Sequence, residues 1–335
     1  MSAAIGSALS NARTATATSS NGLAYMWEML HIASSMRAPI IMELVCRSIS
    51  GPLNIHNDHS DAMGMKDTGW IMLFSKNNQD VYDNTIIGTM IAENSSVLLP
   101  IAICQDGFIT SHSIENIEIL EDDEVTKLVG KYNNNVNLLD KENPVTVGPL
   151  DLPTHLFEHK RLQVEALANA KKVFKEISEK YEKISGRKIN MIDTYMVEDA
   201  DTVIIAIGST AETIEEVVDK RRKNGEKVGV VAIRMFRPFP SEEIISALKN
   251  VKNIAVMDKV MDYSLNGGPL YKEIISAIYD MKENKKNKDI DKNIIVSNYI
   301  YGIGGRDIGV DDIEGIFEDI LDESNNEKIK YVGLK

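Results

Sequence analysis

The sequence predicts an α/β protein of two doubly wound domains, each built around a parallel sheet. The chain has 335 residues, which suits two domains of about 150 residues each. Short apolar runs alternate with segments of helical periodicity in both halves, which is typical of βαβ units. Hydrophobic residues make up 43% of the chain and charged residues 26%, so it can bury a large core.

The first domain is predicted to cover residues 1–150. Four apolar or β-branched runs are predicted strands: 14–18, 39–45, 70–74 and 97–104. Two segments have apolar residues at helical spacing: 22–35 and 81–92. The polar stretch 121–153, with three prolines, is expected to be a surface excursion or linker.

Residues 151–190 are predicted to be a linker with one long helix. Its apolar residues recur every three or four positions: Leu167, Ala170, Phe174, Ile177, Tyr181 and Ile184. Gly186 follows as the expected C-terminal stop.

Residues 191–335 are predicted to form the second α/β domain. The predicted strands are 202–207, 228–233, 253–257 and 294–297, and the predicted helices are 210–222, 242–248, 270–281 and 310–321. Ser241 is expected to cap the second of these helices. Residues 282–292 are expected to be a charged excursion, and the polar tail is expected to fray.

The net charge and the cysteine content argue against several kinds of partner and of binding site. The net charge of −13 argues against partners that are nucleic acids or anionic membranes. Cys46 and Cys104 cannot supply a disulfide framework, a zinc site or the four thiolates of an iron–sulfur cluster. We find no signal peptide and no apolar run long enough for a transmembrane helix, so a cytoplasmic location is expected.

Arg47 directly follows a predicted buried strand. In open α/β sheets ligands bind beyond the carboxyl ends of the strands. A guanidinium there suits a carboxylate held by paired hydrogen bonds. A surface salt bridge or a capped carbonyl would explain the position equally well.

Two polar segments are further candidates. Thr18, Ser19 and Ser20 end a β-prone run and open a helix, so they form either a strand–turn–helix capped by Ser or Asn, or a ligand-facing loop. The run at 57–61 includes His59 and Asp61. Its oxygen and imidazole groups allow a metal site, but a turn held by Asx hydrogen bonds explains them better. No metal ligand is therefore assigned.

Two glycine-containing segments in the second half have simpler explanations than phosphate binding. The segment YGIGGRD at 301–307 is expected to be a tight loop with positive φ, although a phosphate-binding nest is an alternative. Gly208-Ser209-Thr210 is explained by helix capping. The histidines show no catalytic spacing. We expect His31 and His112 to be structural, and His59 is the one worth testing.

Several of these segments, in their order along the chain, resemble one family. ARTATATSSNGL, RAPIIMELVCRSISGPLNIHNDHSD, DTGW and DGFITSH are similar to the α subunits of 2-oxoacid:ferredoxin oxidoreductases, and to the pyruvate-specific branch in particular. ADTVIIAIGSTAETIEEVVD, IRMFRPFPSEEI and YGIGGRD resemble the second domain of the same subunits.

The resemblance implies a thiamine-diphosphate pyrimidine-binding domain followed by a transketolase C-terminal-like domain. It also implies oxidative decarboxylation of pyruvate with coenzyme A to acetyl-CoA and CO₂, with electrons passing to ferredoxin. The partners implied are β, γ and δ subunits. The β subunit would hold the cofactor phosphates, Mg²⁺ and a cluster. The δ subunit would carry further [4Fe–4S] clusters, and the γ subunit would be associated with coenzyme A.

The resemblance also assigns site residues. Arg47 matches the arginine that grips the substrate carboxylate. Thr18, Ser19 and Ser20 fall near the thiamine site, and His59 and Asp61 are placed as further cofactor-binding residues. The remaining alternatives for the substrate are 2-oxoglutarate and a branched 2-oxo acid.

One departure from the family lies at the start of the chain. Relatives begin several dozen residues earlier and carry a pyrimidine-contacting glutamate just before the stretch matching residues 2–4. Three explanations are open: an incomplete start, a separate upstream peptide, or a non-catalytic assembly subunit.

Overall fold

The computed structural model describes residues 1–134, 136–280, 294–322 and 327–335. The strands of these residues are β1 (Thr14–Thr18), β2 (Ile40–Cys46), β3 (Ile71–Phe74), β4 (Ile101–Asp106), β5 (Ile192–Tyr195), β6 (Thr202–Ala206), β7 (Val228–Ile233), β8 (Met235–Arg237), β9 (Asn253–Asp258), β10 (Ile295–Ile300) and β11 (Ile329–Tyr331). The α-helices are α1 (Ser2–Leu9), α2 (Ser20–Tyr25), α3 (Trp27–Ser35), α4 (Ser60–Met65), α5 (Asn78–Ala92), α6 (Asp122–Val129), α7 (Leu156–Ser185), α8 (Thr210–Lys223), α9 (Ser241–Ala247), α10 (Pro269–Tyr279) and α11 (Val310–Leu321).

The strands form two sheets. The first has the order β1-β2-β4-β3-β8, and the second has the order β11-β10-β9-β6-β7-β5. All neighbouring pairs are parallel except β3–β8 and β5–β7, which add one antiparallel edge strand to each sheet. The predicted fold class, α/β with two parallel sheets, is confirmed.

Apolar layers cover both faces of each sheet. Helices α5 and α7 pack on one face of the first sheet, where Phe174 and Ile177 join Ile41 and Ile103. The opposite face shares a continuous core with the second sheet. Helices α8 and α11 cover the remaining face of the second sheet. The two sheets are therefore joined by a common apolar layer, which holds their carboxyl ends in a fixed relation.

Helix α7 confirms the predicted long helix and begins earlier than its apolar stripe. It ends at Gly186, whose φ of 71° is left-handed and whose N–H donates to the Glu182 carbonyl at 2.8 Å. Glycine suits this position because it has no Cβ to clash there. The predicted stop is confirmed.

Several predicted boundaries are wrong. The strand predicted at 97–104 begins only at Ile101, because Val97 and Leu99 are buried in an irregular segment before Pro100. The helix predicted at 22–35 is two helices, which meet at Met26 with φ −107° and ψ 18°. Ser241 makes no cap bond and is the first residue of α9 rather than its N-cap.

Some elements have no counterpart in the prediction. The short strands β5 and β8 went unpredicted, as did α6 inside the polar stretch. The polar tail contains β11, which pairs with β10, so the expectation that it frays is wrong there. The charged excursion at 282–292 lies outside the described residues. The domain limits 1–150, 151–190 and 191–335 stay predictions, although β8 joins the first sheet from the second half of the chain.

The described helices include none with the length and apolarity that a membrane crossing would require.

Candidate functional site

The carboxyl edge of the first sheet places Arg47 beside an aromatic group. Arg47 follows β2, and its guanidinium carbon lies 4.9 Å from the centroid of the Phe108 ring, in the loop after β4. His112 stacks on the same ring at 4.7 Å and His56 lies at 4.9 Å. This cation–π contact supports the guanidinium while leaving its N–H groups free to donate.

Within the described residues, the Arg47 side chain makes no ion pair or hydrogen bond. Its Nε is buried and unpartnered. A salt bridge and a carbonyl cap were the two structural explanations of this residue, and neither is present among the residues that the structure describes. Gly107 permits the close packing, because a Cβ there would lie 2.5 Å from the Cys46 carbonyl and 3.1 Å from Arg47 Cγ. The half-buried guanidinium can therefore receive an external carboxylate.

The Asp61 carboxylate is hydrogen-bonded to two other predicted site residues, Ser20 and Arg47. Its carboxylate accepts hydrogen bonds from the backbone N–H groups of Ser20 (2.7 Å), Arg47 (3.0 Å) and Ala62 (2.7 Å). Burial raises the pKa of Asp61 to about 6, although these bonds oppose the rise. The ends of β1 and β2 are thus fixed to each other through one buried carboxylate.

The loop at Thr18, Ser19 and Ser20 is tightly folded. A Cβ at Gly22 would lie 2.6 Å from Thr18 Oγ1. Ser20 has a φ of 48°, and its hydroxyl donates to the Ser48 carbonyl. Ser19 occupies the N-cap position of α2, as one of the two alternatives predicted, but its side chain makes no cap bond.

The polar run at 57–61 begins with the predicted turn, and its last two residues, Ser60 and Asp61, open α4. Asp58 Oδ1 accepts from the Ser60 N–H at 2.9 Å and from its hydroxyl at 2.6 Å, which is an Asx turn. Asp58 also accepts from Ser48 Oγ and from the Gly304 N–H. Within the described ranges, no group of three or more His, Cys, Asp or Glu side chains is arranged to hold a metal ion.

His59 belongs to a buried charged cluster between the two sheets. Its Nε2 lies 2.7 Å from Asp106 Oδ1. Lys259 Nζ and Ser209 Oγ donate to Asp106 Oδ2 at 2.9 and 2.6 Å. Burial would raise the pKa of Asp106, but the charge of Lys259 and the bonds from His59 and Ser209 hold it well below its usual range. We call these four residues the Asp106 cluster.

The Asp106 cluster corrects one interpretation and adds two residues. The Ser209 hydroxyl is used by Asp106 and makes no cap bond to α8, so helix capping does not explain the serine. Gly208 has a φ of 76°, and a Cβ there would lie 2.9 Å from the Asp106 oxygens. Sequence reasoning missed Asp106 and Lys259, although each stands at or directly after the carboxyl end of a strand, the signal that pointed to Arg47.

The YGIGGRD loop has the predicted positive φ angles at Gly302 (65°), Gly304 (62°) and Gly305 (79°). It packs against the loop after Arg47. Asn54 Nδ2 donates to the Gly304 carbonyl at 3.1 Å, and a Cβ at Gly305 would lie 2.3 Å from His56 Cβ. The second domain therefore supports the loop that follows the candidate carboxylate-binding residue.

Family models and curated relatives match this chain over most of its length. Residues 1–179 match the thiamine diphosphate-binding domain of pyruvate flavodoxin/ferredoxin oxidoreductases, and residues 200–313 match core domain II of pyruvate:ferredoxin oxidoreductases. The chain is 45% identical to pyruvate synthase subunit PorA of Thermotoga maritima and 41% identical to that of Methanocaldococcus jannaschii, covering 100% of this chain and 83% of each relative. It is also 37% identical to ketoisovalerate oxidoreductase subunit VorA of Pyrococcus horikoshii, over 96% of this chain and 78% of that relative.

A solved structure supports the fold. A 2-oxoglutarate:ferredoxin oxidoreductase from Magnetococcus marinus superimposes with a TM-score of 0.63 at 16% identity, covering 96% of this chain and 55% of that one. The fold, the two matched domain models and the full-length relatives agree. The chain belongs to the pyruvate:ferredoxin oxidoreductase family, among the subunits that carry its thiamine diphosphate-binding domain and core domain II.

Proposed function

We propose that this chain is the α subunit of an enzyme that oxidatively decarboxylates pyruvate with coenzyme A, giving acetyl-CoA and CO₂ and passing electrons to ferredoxin. Family membership supports the reaction class. The observation that carries the proposal is Arg47, a half-buried arginine at a sheet edge whose side chain has no hydrogen-bond or ion-pair partner among the described residues.

Arg47 binds the substrate carboxylate through paired N–H groups. Phe108 supports the guanidinium from its face, and Asp61 fixes the backbone N–H of Arg47. Holding the carboxylate in one orientation places the keto carbon for reaction, and this positioning lowers the barrier mainly by removing translational and rotational freedom beforehand.

The residues present fit one side of a thiamine diphosphate site. Thiamine diphosphate supplies a carbanion and an electron sink when bound. Thr18, Ser19 and Ser20 lie at the same edge as Arg47, which makes them our candidates for contacts with the cofactor, and the Ser20 hydroxyl is held by its bond to the Ser48 carbonyl. We place the cofactor phosphates, Mg²⁺ and one cluster on a partner β subunit, further [4Fe–4S] clusters on a δ subunit, and the association with coenzyme A on a γ subunit.

His59 and Asp61 take a positioning role in this proposal. Both are buried and bonded to protein groups, His59 to Asp106 and Asp61 to the backbone of Ser20 and Arg47. They act indirectly on the cofactor side of the site, because their hydrogen bonds hold the neighbouring loops in place. Their substitution is expected to loosen both loops rather than to remove a direct contact.

The test is viologen reduction by the purified complex with coenzyme A and, in turn, pyruvate, 2-oxoisovalerate and 2-oxoglutarate. We expect pyruvate to give the highest kcat/KM. A preference for 2-oxoisovalerate would favour the second candidate function, which the relationship to the VorA subunit motivates. Absence of turnover with all three acids in a complex with its full complement of cofactor and clusters would contradict the proposal.

A further inference from the structure

A cavity of about 480 Å³ lies between the two sheets, beside the Asp106 cluster. Its wall is formed by loops that follow the carboxyl ends of strands from both halves of the chain. The wall residues that matter here are Asn57, Thr110, Ser209, Lys259, Gly302 and Arg306. Arg47 does not line this cavity and approaches it through Phe108, which does.

Two wall residues are buried polar groups without a partner. Asn57 is 1% exposed, and both its amide nitrogen and its amide oxygen lack hydrogen bonds among the described residues. Thr110 is 2% exposed, and its hydroxyl likewise has no partner there. Native structures rarely keep such groups unpaired, since burial without a hydrogen bond is unfavourable. Two of them on the wall of one cavity point to a ligand.

Two of the three acidic side chains on the wall are already engaged in hydrogen bonds. Glu212 accepts from Asn77 Nδ2 at 2.5 Å, and Glu115 accepts from the Asn78 N–H at 3.0 Å and from a serine hydroxyl. A third acid, Asp307, lies at the exposed end of the wall.

Three cationic side chains and one helix N-terminus add positive charge to the cavity wall that holds the unpaired donors. Lys76, Lys259 and Arg306 all line the cavity, and helix α8 begins there at Thr210. Lys76 is 3.4 Å from its nearest acidic partner, a looser pair than that of Lys259 at 2.9 Å. The partial positive charge of a helix N-terminus adds to these cations. Lys76 and Lys259 are paired with acids, and Arg306 donates to the Gly333 carbonyl, so these cations contribute positive charge. Among the described residues, the unpaired buried donors on the wall are Asn57 Nδ2 and Thr110 Oγ1.

We propose that this cavity binds a small oxyanion, either a carboxylate or a phosphate, with Asn57 Nδ2 and Thr110 Oγ1 as its buried donors. Asn57 and Thr110 belong to the first sheet's loops, whereas Ser209 and Arg306 belong to the second half of the chain. Bound anion therefore links the two sheets at the edge that supports the loop after Arg47. This site is separate from the carboxylate site at Arg47.

The experiment is hydrogen–deuterium exchange on the full chain in the complex it forms in its host. Inorganic phosphate and acetate are each compared with chloride at equal ionic strength. We expect slower exchange in peptides that cover residues 54–58, 107–113 and 302–307. At ten times the dissociation constant, exchange that requires opening of the cavity slows about tenfold. Slowing by phosphate alone or by acetate alone identifies which oxyanion the cavity takes.

Variants separate this site from general salt effects. Thr110→Val and Asn57→Leu each remove one proposed donor and should abolish the slowing. Thr89→Val is the matched control, because Thr89 is a buried threonine whose hydroxyl donates to the Thr85 carbonyl at 2.7 Å and does not line the cavity. Slowing that persists in Thr110→Val as in Thr89→Val overturns the proposal, as does unchanged exchange in the wild type with both anions. Neither readout depends on catalytic activity.

Discussion

Arg47 and Arg234 both stand directly after a strand, but the structure uses them differently. Arg234 is buried and donates to Asp80 at 2.9 Å and to Asp193 at 2.8 Å. These two acids come from different halves of the chain. Arg47 is half-buried, rests on Phe108 and has no ion pair among the described residues. The charge of Arg234 is paired within the fold, although its Nε, like that of Arg47, is buried without a hydrogen-bond partner. Arg47 has no ion pair among the described residues, so its guanidinium can serve a group outside the fold.

This difference separates polar groups that hold the fold from polar groups that serve a ligand. A buried charge with all its partners contributes to stability only as a set, because removing one partner leaves the others uncompensated. Removing a charge that has no internal partner should change the free energy of unfolding only slightly. The same distinction applies to the fully bonded Asp106 cluster and to the unpaired Asn57 and Thr110 beside it.

The largest expected effect on stability comes from Arg234→Leu. This change removes the cation that the buried Asp80 shares with the partly exposed Asp193, and Asp193 keeps only the looser pair with Lys76 at 3.4 Å. We expect the free energy of unfolding to fall by about 3–5 kcal/mol. Denaturant unfolding checks this. A loss below about 1 kcal/mol would show that Arg234 does not hold the two halves together.

Lys259→Met should have the next largest effect. Methionine fills a similar volume, but Asp106 then keeps only His59 and Ser209 as partners. We expect a loss of about 2–4 kcal/mol, since a buried carboxylate loses its main counter-charge. Lys252→Met is the matched control, because Lys252 is 60% exposed in its pair with Asp201 and should change stability by less than about 1 kcal/mol. Equal effects of the two changes would contradict this account.

Because two buried carboxylates have raised pKa values, we expect the free energy of unfolding to rise on mild acidification. Burial raises the pKa values of Asp61 and Asp258 to about 6, above the values near 4 expected in the unfolded chain. As the pH falls from 7 towards 5, the folded state takes up protons before the unfolded state does. The free energy of unfolding should therefore increase, by about 1–3 kcal/mol in total.

Denaturant unfolding at several pH values between 5 and 7.5 measures this gain. Asp61→Asn should reduce the slope by about half, because one of the two carboxylates with a raised pKa is then removed and Asp258 remains. Asp106 is expected to contribute no change there, since its pKa is held well below the usual range. Stability that falls steadily from pH 7 to pH 5 would contradict the prediction.

The smallest effect is expected for Ser209→Ala. It removes one donor of Asp106 while Lys259 and His59 remain, so the loss should be about 1 kcal/mol. The change tests whether the hydroxyl serves Asp106 or caps α8. If it acts through Asp106, combining Ser209→Ala with Lys259→Met should give a non-additive loss, whereas additive losses would indicate independent roles.

The fold was predictable where local patterns decide the structure. Residues Thr14–Thr18, Val228–Ile233 and Val310–Leu321 match their predicted limits, because β-branched runs and apolar periodicity are short-range signals. Strand β8 was not predictable. It has three residues, and its partner β3 is more than 150 residues away in the other half of the chain.

The candidate site was predictable only in part. Arg47 could be found because an arginine after a buried strand is visible in the sequence. Asp106 and Lys259 are 153 residues apart, and no local pattern joins them. Only the packing of the two sheets shows that they form one cluster. The same packing shows that Ser209 bonds to Asp106 instead of capping a helix.

The most direct test of the account is kcat/KM for pyruvate in Arg47→Leu, measured on the assembled complex together with its unfolding free energy. We expect kcat/KM to fall by about a hundredfold or more, because the substrate loses its orienting contact. Stability should change by less than about 1 kcal/mol, in contrast to Arg234→Leu. Wild-type kcat/KM in the intact variant, or a loss of stability as large as that of Arg234→Leu, would contradict the assignment of Arg47 as the carboxylate-binding residue.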